Sequence, residues 1–258
     1  MRTLIVLPTY QEAANVAAVL RRVRAAVPPA HVLVVDDGSP DGTADLAEAM
    51  GEELGGIDVL RRRSKAGLGG AYRAGFAWGL EHDYEVMVEM DADLSHDPSE
   101  LPSLLRAVAA GSDLAIGSRY VPGGSIPRWP WHRRALSKYG NRYAAALLGL
   151  DLADATSGFR AYRADTLKQL AMQQVVADGY GFQIEMAYLV VIGGGTVTEV
   201  PIAFTDRTEG TSKMSSRIVI EALLLVTWWG VAQRVRKAAG RPRPDRLVRP
   251  WWRSSPRS

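Results

Sequence analysis

The chain has 258 residues, 47% of them hydrophobic, which is enough for one large α/β domain and too apolar for wholesale disorder. Cysteine is absent, which excludes disulfides, zinc–thiolate centres and a cysteine nucleophile. The net charge is +3, but residues 234–258 hold nine Lys/Arg against one acid, Asp245, so this tail carries +8 and the rest of the chain −5; a nucleic-acid-binding body is not expected, and the tail suits an arm that meets an anionic surface or a plain solvated end.

The opening apolar run is too short for a secretory signal and leads straight into a polar motif, so no export is expected. Short β-rich runs predict strands over Thr3–Leu7, His31–Val35, Ile57–Leu60, Glu85–Met90 and Leu114–Gly117. Helical apolar spacing separates most of them, as at Val16, Val19, Leu20, Val23 and Val27. Alternation of this kind predicts βαβ units, a mostly parallel sheet, and ligands at the carboxyl ends of the strands. The polar clusters fall at those ends. Pro8–Glu12 follows the first strand, Asp36–Thr43 the second, Asp91-Ala92-Asp93 the fourth and Arg119 the fifth. Beyond residue 125 the alternation fades into helices over Arg133–Leu148, Ala164–Met172 and Gln183–Ile192, with a strand pair around Thr196–Phe204. Residues 218–233, IVIEALLLVTWWGVAQ, form the most apolar stretch, broken by Glu221. It is shorter than the roughly 20 residues a spanning helix requires, so it predicts a helix lying on a membrane surface or packed against the domain or a partner.

Three chemistries are poorly supported. Gly67-Leu68-Gly69-Gly70-Ala71-Tyr72 puts Tyr72 where a dinucleotide fingerprint needs its third glycine, and it follows the wrong strand. Neither a Walker loop nor a G-x-S-x-G nucleophile elbow occurs. The pair Asp91 and Asp93 fits better: two carboxylates ending an apolar strand can hold a hard divalent cation that neutralises a diphosphate leaving group. Alone, such a pair also suits a turn, and Asp97-Pro98 behind it suits a helix cap.

Eight motifs run in order over residues 3–214: LIVLPTYQEAANV, VVDDGSPDGTADLA, KAGLGGAY, MDADLSHDP, IGSRYVPGG, DATSGFRAYR, GYGFQIEM and EVPIAFTDRTEGTSKM. In this order and spacing the chain resembles the family-2 glycosyltransferases of GT-A architecture, and among them the polyprenol-phosphate (dolichol-phosphate) mannose synthases. It departs from them at Gln11, where Asn is usual, and at Ser95, where some relatives carry a Gln that helps the metal.

The resemblance implies a Rossmann-like GT-A domain over 1–214, an interfacial or contact helix over 215–237 and a basic flexible tail over 238–258. It implies a nucleotide-sugar site of Pro8, Tyr10, Glu12, Val35, Asp37, Asp91, Ala92, Asp93, Arg119, Arg207 and Lys213, with Gly210 as hinge of a mobile loop. Mg2+ or Mn2+ falls to Asp91 and Asp93, with Ser95 as third ligand or replaced by water. Arg133 and Ser137 meet the acceptor phosphate, and Asp91, Asp93, Arg119 and Arg133 form the catalytic set. The implied reaction is inverting transfer of mannose from GDP-mannose to a polyprenyl phosphate at the cytoplasmic face of the plasma membrane, with a membrane protein as a further anchoring partner. The alternatives are glucose transfer from UDP-glucose to the same lipid class, or a nucleotide-binding module without catalysis.

Overall fold

A computed structural model of the chain describes residues 1–64, 67–170, 175, 177–205 and 216–239. Its centre is a seven-stranded sheet of order β3-β2-β1-β4-β6-β5-β7. The strands are β1 (Thr3–Thr9), β2 (His31–Asp36), β3 (Ile57–Arg61), β4 (Val86–Glu89), β5 (Leu114–Ser118), β6 (Arg160–Arg163) and β7 (Val197–Pro201). All neighbours run parallel except at β6, which is antiparallel to both β4 and β5.

The near-continuous apolar runs of β1 and β2 read as strands buried on both faces, and they are. Alternate residues serve opposite layers. Leu4, Val6, Leu33 and Val35 face helices α3 (Leu68–Glu81), α5 (Trp131–Leu148) and α7 (Tyr180–Ile192). Ile5, Leu7, Val32 and Val34 face α1 (Val16–Ala26), α2 (Thr43–Leu54) and α4 (Leu101–Ala109). A Cβ on Gly75 of α3 would collide with Val6, so glycine there lets the helix settle directly on β1.

The five expected strands are present, and the second half corrects the sequence reading in two places. β6 was not expected. It is four residues long with arginine at both ends, and its placement comes from non-local pairing, Glu89 opposite Arg160. The expected strand pair near Thr196–Phe204 is one strand, β7, parallel to β5, followed by a bridge from Ala203 to Ser125. The helix expected to reach Met172 is described as α6 (Ala164–Gln169), and Met172 lies outside the described residues.

The apolar stretch near the C-terminus forms α8 (Ser216–Ala238). Ala222, Leu225, Val226 and Trp229 are buried against α5 and α7. Ile220, Leu224, Val231 and Val235 are exposed, so apolar residues lie on both sides of the helix. Among the described residues no helix is long and apolar enough to cross a membrane.

Candidate active site

The carboxyl ends of the strands open into a cavity of about 530 Å3. Pro8, Tyr10 and Glu12 after β1 form part of its wall, with Asp37 after β2, Asp91, Ala92, Asp93 and Ser95 after β4, and Arg119 after β5. Arg133 enters from the start of α5. The sheet thus brings together the candidate residues from five separate segments. Val35 is not among them: strand alternation turns its side chain into the core beneath α3. Ser137 lies on a smaller, mostly apolar groove of about 100 Å3 between α5, α7 and α8, which shares Trp129, Arg133, Thr156 and Tyr180 with the main cavity. Arg207, Gly210 and Lys213 lie outside the described residues.

The turn after β4 is built to present carboxylates. Leu94 takes a left-handed φ of 63°, rare for a non-glycine residue, which reverses the chain within the motif. Asp93 Oδ1 accepts the Ser95 backbone N–H at 3.0 Å. The Asp91 backbone N–H donates to His96 Nδ1 at 3.2 Å, which assigns the ring proton to Nε2. His96 is buried and stacks on Phe159 with centroids 5.0 Å apart. Asp91 Oδ1 receives a long bond, 3.4 Å, from the Tyr72 hydroxyl. Among the described residues no group of three His, Cys, Asp or Glu is gathered to hold a metal. The cavity wall after β1 and β2 is similarly braced. Arg62 Nη1 meets Asp37 Oδ1 at 2.6 Å, and Gln11, at φ 57°, donates its N–H to Ser39 Oγ. Among non-glycine residues Asn takes a left-handed site most readily, so Gln11 in place of Asn keeps the amide at some conformational cost.

Arg119, expected as a cation meeting phosphate, does line the cavity, and it has a counterion that the sequence did not announce. Its guanidinium is buried and forked onto Asp154: Nε to Oδ2 at 2.7 Å and Nη2 to Oδ1 at 2.6 Å. Nη2 also donates to Thr156 Oγ1 at 2.8 Å. Burial opposes both charges, but each partner outweighs it, holding the Arg119 guanidinium above its ordinary pKa and the Asp154 carboxyl below its own. Trp129 is buried in the cavity wall, with the Arg133 guanidinium 3.9 Å from its ring centroid. Glu89, directly behind the Asp91–Asp93 turn, is wholly buried. Among the described residues neither of its oxygens has a hydrogen-bond partner of good geometry, and burial, partly offset by Arg160 and by the nearby Gln183 and Tyr162 side chains, pushes its carboxyl up to about 7.

Several cavity residues carried no assigned role in the sequence: Asp154 beneath the wall, and Thr156, Gly158, Asp178, Tyr180 and Gln183 in it. Their motifs, DATSGFRAYR and GYGFQIEM, were visible, but an ion pair across 35 residues of sequence has no local signature. The described cavity wall holds six carboxylates, Glu12, Asp37, Asp91, Asp93, Asp178 and Glu221, against the guanidiniums of Arg119 and Arg133. The first of these guanidiniums is already committed to Asp154.

The family model for glycosyl transferase family 2 matches residues 4–171. The chain belongs to that family. Across its length this glycosyltransferase is 50% identical to the polyprenol monophosphomannose synthase of Mycolicibacterium smegmatis, covering 93% of this chain and 91% of that one. It is 51% identical to the undecaprenyl-phosphate mannosyltransferase of Micrococcus luteus, covering 91% and 96%. Among solved structures, mannosyl-3-phosphoglycerate synthase from Rubrobacter xylanophilus superposes with a TM-score of 0.62 at 18% identity, over 97% of this chain and 78% of that one. At that identity the likeness is one of fold, the GT-A architecture.

Proposed function

We propose that this glycosyltransferase moves mannose from GDP-mannose to a polyprenyl phosphate, with inversion at the sugar carbon and release of GDP. The observation that carries the reading is the shape of the site: a carboxylate-lined nucleotide cavity that continues, past Arg133 and Trp129, into an apolar groove. A water-soluble acceptor has no use for the groove, whereas a phosphate on a hydrocarbon tail fits both parts. The mannosyl- and polyprenyl-phosphate-named relatives, at half identity over nearly the whole chain, support the same pairing of sugar and lipid.

The residues present suit a divalent cation, Mg2+ or Mn2+. Asp91 and Asp93 offer hard oxygen donors, with Asp93 aimed by the Ser95 N–H, and ions of this class commonly combine one or two carboxylates with water and substrate phosphate. When bound, the ion neutralises the diphosphate and stabilises it as a leaving group. The six carboxylates of the described wall make the same point: a nucleotide diphosphate and a lipid phosphate gain little from two guanidiniums alone. Tyr10 and Pro8 offer faces to the nucleotide, and Glu12 and Asp37 offer acceptors to its N–H and hydroxyl groups. Arg133, seated over the Trp129 ring, receives the acceptor phosphate, with Ser137 behind it in the groove. Arg207 and Lys213, outside the described residues, supply further cations to the donor diphosphate. No protein base is required, because a phosphate monoester with a second pKa of about 6 is largely dianionic at neutral pH. Positioning and charge compensation then carry the rate.

The test is sugar transfer by purified protein with a defined polyprenyl phosphate and either GDP-mannose or UDP-glucose. Turnover with GDP-mannose, lost in chelator and in Asp93→Asn while that variant melts as the wild type does, is the expected result. Preference for UDP-glucose would replace the donor, and full activity of Asp93→Asn in chelator would remove the metal.

A further inference from the structure

Arg119 on the donor side and α5 on the acceptor side are joined through one hydroxyl. Thr156 Oγ1 accepts from Arg119 Nη2 at 2.8 Å and from Asn141 Nδ2 at 3.1 Å, and it donates to Asp154 Oδ1 at 3.3 Å. A threonine hydroxyl has one proton and two lone pairs, so all three capacities are used and none is left for a substrate. Asn141, buried on α5, closes the link from the other side. Its Oδ1 accepts the Thr156 N–H at 3.1 Å, and its Nδ2 also donates to the Ser137 carbonyl at 3.0 Å. Ser137 lies one turn before Asn141 on α5, whose first turn carries Arg133. Beneath, Asp154 holds Arg119, and Glu199 of β7 accepts the backbone N–H groups of Ala153 and Asp154 at 2.7 and 2.8 Å. Arg160, fully buried, ties the same segment down by donating to the Ala155, Ser157 and Gln183 carbonyls.

We propose that Thr156 is a positioning residue that fixes the separation between the two phosphate sites, with Asn141 as its counterpart on the acceptor helix. The proposal rests on the mannose-transfer reading and deepens it. α5 exposes a mixed outer face of aromatic, apolar and basic residues, and it contributes just three buried residues, Asn141, Ala144 and Leu148, of which Asn141 lies nearest the cavity. Without the Thr156–Asn141 bonds, the Arg133 end of α5 keeps its contact with Trp129 and its packing on α8 but loses this hydrogen-bonded tie to Arg119. Arg119 stays on Asp154, so the donor side is left in place. The acceptor site therefore loosens while the nucleotide site does not.

The experiment compares Thr156→Val and Thr156→Ser in the full-length protein. Steady-state transfer gives KM for a short polyprenyl phosphate, and calorimetry gives Kd for GDP with Mn2+. Valine keeps the volume and removes the hydroxyl; KM for the lipid phosphate should rise about tenfold or more, with Kd for GDP changed less than about twofold. Serine keeps the hydroxyl and should stay close to wild type in both. Asn141→Ala cuts the link from the helix and should reproduce the KM effect, which keeps the test decisive if Thr156→Val does not fold. An unchanged KM in Thr156→Val, equal losses in lipid KM and GDP affinity, or a serine variant as impaired as valine would overturn the proposal. A wild type that transfers no sugar to polyprenyl phosphate would instead remove the function on which it rests, a result read directly from the control.

Discussion

At the scale of single residues, the Arg119–Asp154 pair is the most consequential feature that the sequence did not announce. A motif such as Gly117-Ser118-Arg119-Tyr120 announces a cation after a strand but not its counterion, because Asp154 comes from a loop between distant elements. Removing one member of a buried pair leaves the other charge uncompensated, which costs about 3–5 kcal/mol. Asp154→Asn is therefore expected to destabilise the protein by that order at pH 7. The sign with pH follows from the direction of the shift. The folded-state pKa of Asp154 lies below its unfolded value, so its contribution is fully present above about pH 4, the unfolded range of an Asp. It is lost as pH falls through the lowered folded-state value. Urea unfolding midpoints should differ widely between wild type and Asp154→Asn at pH 7 and converge in strongly acid solution; an equal gap at both would show that the asparagine perturbs packing rather than charge. The carboxylates of the Asp91-Ala92-Asp93 motif, by contrast, were legible as cavity residues, because the apolar run before them placed them at the carboxyl end of a strand.

Among the elements, α8 is where sequence and structure complement each other. Its composition announced an apolar helix too short to span a membrane, but not which side packs, because apolar residues surround it. The contacts decide: Leu225, Val226 and Trp229 are 1% exposed against α5 and α7, while Ile220 and Leu224 remain over half exposed. Large-to-small changes on the packed side should cost about 2–5 kcal/mol for Leu225→Ala and about 3–5 for Trp229→Ala. Leu224→Ser, on the open side, should leave the thermal midpoint nearly unchanged, since surface substitutions usually fall within about 0.5 kcal/mol. Thermal melts of the three variants check this, and a Leu224→Ser protein as unstable as Leu225→Ala would mean that the open side is covered. The same contrast explains the rest of the fold. β1, β2, β4 and β5 were readable because each is a local apolar run between turn residues. β6 was not, because Arg160-Ala161-Tyr162-Arg163 has no strand pattern, and Arg160 becomes core through hydrogen bonds to three carbonyls. α7 was placed but begins earlier than its apolar spacing suggested, at Tyr180 in the cavity wall.

For the molecule as a whole, charge and exposed apolar surface are concentrated toward one region. Trp131, Leu136 and Tyr139 of α5 are between 63% and 75% exposed, and Ile220, Leu224, Val231 and Val235 of α8 are also exposed. Arg128, Arg134, Lys138 and Arg142 add exposed cations around α5, and α5 packs on α8 beside the groove that opens into the cavity. A lipid acceptor has its phosphate at the membrane surface and its tail in the bilayer, so this side facing an anionic leaflet would bring cavity and substrate together without extraction of the lipid. Residues 240–258 hold six further Lys/Arg against Asp245, together with Trp251 and Trp252. Each basic residue near an anionic surface contributes about 1 kcal/mol, and the contribution falls as salt shortens the screening length to about 3 Å at 1 M. Interfacial tryptophan and the open side of α8 contribute a part less sensitive to salt. Binding to anionic vesicles should therefore be peripheral and weakened, but not abolished, by high salt. Deleting residues 240–258, which leaves α8 whole, should lower co-sedimentation with such vesicles far more than it slows transfer to detergent-dispersed polyprenyl phosphate. If the truncated protein sediments with vesicles as well as the full chain does, the tail is a solvated end and the α5–α8 surface alone holds the enzyme to its substrate.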